Sequence, residues 1–139
     1  MMLGRSAMAA AAAFSAFGLA VLSAEKAPDS YSVVMKELGA TAASLRKNVT
    51  AKDYDGLAKD AATLQKDFEA AAKFWGDRKV DDALTLSKNG SKAAADLAAA
   101  VTAKDDAKIA AASTAVTSTC AACHMAHRIR NEDGTYEIK

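Results

Sequence analysis

The chain has 139 residues, enough for one domain, and 51% of them are apolar with alanine dominant, against 6% aromatic residues and one proline, a composition that favours helices. Its 18 basic and 17 acidic residues give a formal charge of +1, so it carries no basic footprint for nucleic acid. Alanine buries little area per residue, so a bound cofactor would add usefully to such a core.

The N-terminus reads as an export signal over residues 1–24. Arg5 forms a short positive region, Ser6 to Leu22 make an uncharged apolar run, and Leu22-Ser23-Ala24 offers a small-residue cleavage site before Glu25. Gly18-Leu19-Ala20 is a second candidate cut. An uncut run would leave a single membrane anchor, although it is short for a spanning helix. Cleavage after Ala24 removes one of the 18 basic residues, Arg5, and none of the 17 acidic ones, leaving a mature domain over 25–139 with a formal charge of zero.

Four helical segments follow. The first begins after Pro28 and Asp29, with Tyr31, Val34, Met35, Leu38, Ala42, Leu45 and Val49 spaced by three and four on one stripe. The second runs from about Asp53 to Trp75, with Tyr54, Leu57, Ala61, Leu64, Phe68, Ala71 and Trp75 on one face, and Gly76 stands where a left-handed cap is expected. The third starts near Asp81 and carries Ala83, Leu86, Gly90, Ala93, Leu97 and Val101, with Asn89-Gly90 as a candidate break. The fourth starts near Asp105 and aligns Ile109, Ala112, Val116, Cys120, Cys123 and His127, which places the cysteines on its core-facing stripe. Asn131 to Lys139, containing Asp133-Gly134, reads as a turn and a frayed end.

Val49-Thr50-Ala51-Lys52-Asp53 recurs as Val101-Thr102-Ala103-Lys104-Asp105. Five residues do not establish a duplication, and a Thr or Asp cap before an Ala-rich helix is easily reinvented. As punctuation the repeat marks the junction within each helix pair. Four helices of roughly 20 residues, each about 30 Å long and joined by short connections, must run antiparallel to their neighbours. The expected fold is an all-α, up-down-up-down antiparallel four-helix bundle.

Cys120, Cys123, His124 and His127 bring both cysteines and both histidines of the chain into STCAACHMAHRIR. A purely structural disulfide would close too small a loop to constrain the unfolded chain much. A zinc site needs ligands wrapped around the metal from at least two segments, whereas these four project from one side of one helix. A redox dithiol usually sits at a helix N-terminus after a strand, where the dipole favours the thiolate. Here Cys120 stands late in a helix. Covalent haem accounts for every part of the stretch: in Cys-x-x-Cys-His the two thiols add to the porphyrin vinyl groups, and the histidine that follows becomes the proximal iron ligand. Export agrees, since such haem is attached outside the bacterial cytoplasm, and it directs the expectation to the periplasm.

Placed near the C-terminus of a four-helix chain, this motif resembles class II cytochrome c, the group of cytochrome c′ and the low-spin cytochromes c-556. The resemblance covers about residues 28 to 130 and rests on CAACHMAHR, on VVMKELGA in the first helix and on FWGDR ahead of the third. His127 stands where the family typically has an aromatic residue, Arg128 keeps its basic residue, and Tyr31 replaces an Arg often found one turn before the distal position. The resemblance implies one covalent haem c per chain, thioethers at Cys120 and Cys123, His124 as proximal ligand, and Arg128 near a propionate or the haem edge. It also implies redox partner proteins and a homodimer through the first two helices, although the apolar stripe here reveals no second exposed face.

Within that family the residue facing the far side of the iron divides two functions. A methionine makes a low-spin electron carrier, and an apolar residue leaves a five-coordinate iron open to small gases such as NO and CO. Of five methionines, Met1, Met2 and Met8 lie in the export segment and Met125 adjoins His124. His127 is one turn beyond His124, on the same side of the haem. Met35 remains. By spacing it reads equally as a flexible core filler, and the resemblance assigns it the distal position, with Gly39 one turn on to admit the ring. Trp75, Phe68 and Phe74 read as core or pocket wall, and Lys36, Arg46, Lys47, Arg128 and Arg130 as a solvated face that would ring the haem edge. The expected function is single-electron transfer, with no substrate bond made or broken, and the alternative is a gas-binding cytochrome c′-like protein.

Overall fold

Lysines in the left-handed region close all three turns between the helices of the computed structural model, which describes residues 23–139. Helix α1 spans Asp29–Ala51, α2 Tyr54–Asp77, α3 Asp81–Thr102 and α4 Asp106–His127. Lys52, Lys79 and Lys104 have φ of 54°, 58° and 50°. At each, the lysine N–H and the next residue's N–H return to carbonyls of the last helical turn. Examples are Asp53 N–H to Asn48 O at 3.0 Å and Asp105 N–H to Ala100 O at 3.0 Å, the double closure that satisfies otherwise orphaned carbonyls. The repeated Lys-Asp therefore builds the same corner twice, and its aspartate caps the next helix: Asp53 accepts from Gly56 N–H and Asp105 from Lys108 N–H, each at 3.0 Å.

Corners of two or three residues fold each helix back along its predecessor. Successive helices pack α1 on α2, α2 on α3 and α3 on α4, whereas α1 and α4 touch far less. Apolar stripes supply the interior, with Leu38, Leu45, Leu57, Leu64, Phe68, Leu97, Ile109 and Val116 in the main core. Each fully buried leucine contributes about 1.5–3 kcal/mol, far more than the alanines between them. A second cluster of Tyr31, Trp75, Val80, Ala83 and Ile138 lies at one end, and Met35 packs against both.

Three sequence expectations change. Gly76 is helical and is not the left-handed residue, which is Lys79 three positions later. The Asn89-Gly90 break does not occur: α3 is continuous, and Gly90 makes room within it for the Phe68 ring of α2, which a Cβ would meet at 2.3 Å. The tail is not frayed. Arg128–Arg130 forms β2 and Tyr136–Ile138 forms β3, with Glu25–Lys26 as β1, in an antiparallel sheet of order β1-β3-β2. Gly134, at φ 85°, turns the hairpin. An ion pair between Arg78 and Glu25 ties β1 to the end of α2.

The expected export segment, including its second cleavage site, lies outside the described residues apart from Ser23 and Ala24, which are exposed. Among the described residues no helix is long and apolar enough to cross a membrane.

Candidate functional site

Where α1 and α4 part, the bundle holds two cavities of about 430 and 290 Å³. The larger lies within the roughly 300–1,000 Å³ range of ligand and cofactor pockets, and the smaller is just below it. Both are lined by Tyr31, Met35 and Gly39 of α1, Trp75 of α2, and Cys123 and His124 of α4. Cys120, Phe68 and Arg46 border only the smaller cavity; Lys36, His127 and Arg128 border only the larger.

Helical spacing produces this gathering. Tyr31, Met35 and Gly39 are four residues apart, so they stack along one face of α1. Cys120, Cys123, His124 and His127 do the same on α4. Cys120, Cys123, His124 and Met35 are half-buried, neither sealed in the core nor turned to solvent. A Cβ at Gly39 would meet nothing within 4 Å, so the space over that stretch of α1 is open.

Electrostatics distinguish the side chains. Burial pushes the Cys120 thiol up, and burial, then the neighbouring Cys120 and Asp82, push Cys123 up to about 11. Neither thiol has the stabilised thiolate that nucleophilic redox chemistry uses. Burial, then the Arg128 guanidinium, lowers the His124 pKa, favouring a neutral ring with a lone pair to offer. Among the described residues no three His, Cys, Asp or Glu side chains converge as a metal-binding group.

His127 is tied off. Its Nε2 lies 2.9 Å from Asp82 Oδ2 and its Nδ1 2.9 Å from the Lys139 carbonyl oxygen, and its ring packs 5.2 Å from Trp75. Burial works against the Asp82 carboxylate, but the Ala83 backbone N–H and His127 outweigh it and hold its pKa below the usual range. Tyr31, in turn, is stacked on Phe74 at 4.1 Å, meets Trp75 edge-on at 5.7 Å, and accepts a 3.1 Å hydrogen bond from Trp75 Nε1.

Of the basic residues expected near the site, Lys36, Arg46 and Arg128 reach the cavity walls, while Lys47 and Arg130 are exposed and line neither cavity. Sequence reasoning missed the third wall of the larger cavity, made by Tyr136, Glu137 and Ile138 of β3. Its signal was present: Arg128-Ile129-Arg130 and Tyr136-Glu137-Ile138 alternate polar and apolar residues around an Asp-Gly turn, the pattern of a hairpin. No protein-family model matches the chain, and no curated protein or solved structure matches it.

Proposed function

We propose that the chain is an exported monohaem c-type cytochrome of the class II kind that carries single electrons between redox proteins. The observation that carries this reading is the shared lining of the two adjoining cavities: Met35 of α1 and Cys123 and His124 of α4 border both. The donor set fits the group. Two half-buried thiols one turn apart suit two thioether bonds, the neutral His124 imidazole suits the proximal position, and the Met35 thioether on the opposing helix suits the distal one. Haem, when bound, supplies the one-electron ferric/ferrous couple.

The chain's own part is to hold that group rigidly and dry. With a thioether from Met35 of α1 and an imidazole from His124 of α4 holding it, the bound group would keep nearly the same ligands in both oxidation states, so little reorganisation would oppose transfer. Trp75, Phe68 and Met35 keep bulk water from one side, and Arg128, Lys36 and Arg46 put positive charge at the cavity walls, where an acidic partner protein would dock.

Expression of the full chain with a cytochrome c maturation system tests the reading. Covalently bound haem with low-spin spectra in both oxidation states and no response to carbon monoxide is the expected result. Absence of covalent haem would end the haem reading. High-spin ferrous protein that binds carbon monoxide at once would replace electron transfer with gas binding at an open distal face.

A further inference from the structure

We infer that the Tyr31 hydroxyl donates a hydrogen bond to a carboxylate carried by the group bound between α1 and α4. The inference rests on the haem reading, in which that carboxylate is a propionate. An indole nitrogen can only donate, so in the 3.1 Å contact with Trp75 the Tyr31 oxygen is the acceptor. The hydroxyl's own hydrogen is left over, and among the described residues it meets no protein acceptor. Tyr31 is 7% exposed, and buried hydroxyls seldom keep a donor idle.

The oxygen cannot swing out to find water. Phe74 stacks on the Tyr31 ring, Trp75 holds its edge, and α1 fixes its root. Tyr31 lines both cavities, so the spare hydrogen belongs to whatever occupies them. Charge selects the class of acceptor. The larger cavity is bordered by Lys36 and Arg128 with Glu137 as its one carboxylate, a surplus of positive charge that favours an anionic oxygen over a neutral carbonyl. Burial raises the Tyr31 pKa and outweighs the opposing Trp75 hydrogen bond, so the hydroxyl stays a donor across the physiological range. Trp75 thus acts as a positioning residue: with its N–H on one side of the Tyr31 oxygen, it turns the hydroxyl hydrogen away from itself and toward the cavities.

Resonance Raman spectroscopy of the matured full chain tests this through the propionate bending band. In Tyr31→Phe the band is expected to move to lower frequency with haem still covalently bound. A fluorinated tyrosine at position 31 keeps the shape while strengthening the donor, and should move the band the opposite way. Trp75→Phe, which keeps the hydroxyl but frees its orientation, should move the band part of the way in the same direction as Tyr31→Phe, and a band left in place would remove the positioning role of Trp75. A band unmoved by both changes at position 31 would overturn the role of Tyr31 while leaving the haem reading intact. Absence of covalent haem in the unaltered chain would overturn both, and is read separately from the absorption spectrum.

Discussion

His127 Nε2 and Asp82 Oδ2 lie 2.9 Å apart, joining the last residue of α4 to the first turn of α3, while the same ring's Nδ1 lies 2.9 Å from the Lys139 carbonyl oxygen. One side chain thus anchors the hairpin that walls the larger cavity. His127→Phe preserves the packing on Trp75 and removes both polar contacts. We expect a loss of about 1–2 kcal/mol in unfolding free energy. Amide hydrogen exchange should accelerate through residues 128–139, while protection in α2 and α3 changes little. Unaltered exchange in β2 and β3 would show that strand pairing alone holds the tail.

The helices were legible because each signal is local: Asp53 and Asp105 cap the segments they precede, and the leucines and aromatics recur every three or four residues. The corrections arise where a residue answers to something distant in the chain. Gly90 reads as a helix breaker until Phe68, on another helix, is found to need the space. Lys79 is an unfavourable left-handed residue that no propensity scale selects over Gly76. The candidate site divides in the same way. Cys120, Cys123 and His124 could be grouped by counting along one helix, but their meeting with Met35 is tertiary. The spare hydrogen of Tyr31 depends on Trp75, 44 residues away.

The three left-handed lysines should respond unequally to glycine, which relieves the Cβ clash of that conformation. Each replacement removes about 1 kcal/mol of backbone cost, partly offset by the entropy of glycine in the unfolded chain. Lys52 also pairs with Asp106 at 2.5 Å, and the Lys104 ammonium sits 5.6 Å from the Tyr54 ring centroid. Among the described residues Lys79 has no comparable contact. Lys79→Gly should therefore stabilise the protein most and Lys52→Gly least, measured by chemical denaturation. Equal gains at all three would mean that the surface contacts contribute nothing.

Gly90→Ala places two terms in opposition. Alanine is favoured over glycine inside a helix by about 1 kcal/mol, but the added Cβ would lie 2.3 Å from Phe68 Cε1 and 2.4 Å from Cδ1. A buried ring held by a close-packed core cannot move cheaply, and overpacking costs about 1–3 kcal/mol. A net destabilisation follows, and Phe68→Leu should reduce it in the double variant. Because Phe68 also walls the smaller cavity, Gly90→Ala should perturb that cavity as well. A stabilised Gly90→Ala protein would show that the ring yields freely.

Asp67 sets the sign of one pH dependence. Its side chain is 1% exposed, Oδ2 has no hydrogen-bond partner among the described residues, and Oδ1 lies 3.4 Å from the largely exposed Lys66 ammonium. Burial raises its pKa; the Lys66 hydrogen bond opposes this, and the nearby Glu37 adds to it. A carboxyl that binds its proton more tightly when folded favours the folded state most where it is protonated. Its contribution is lost as pH rises from the usual carboxylate range through the raised folded value. Asp67→Asn removes the charge with little change of shape. It should stabilise the protein by about 1 kcal/mol at neutral pH. The advantage should shrink as pH falls through the carboxylate range, where the native residue is itself neutral. Denaturation of both proteins across that range provides the measurement. A difference that stays constant with pH would mean that Asp67 keeps the same protonation state throughout, and that its burial is compensated by water or by Lys66.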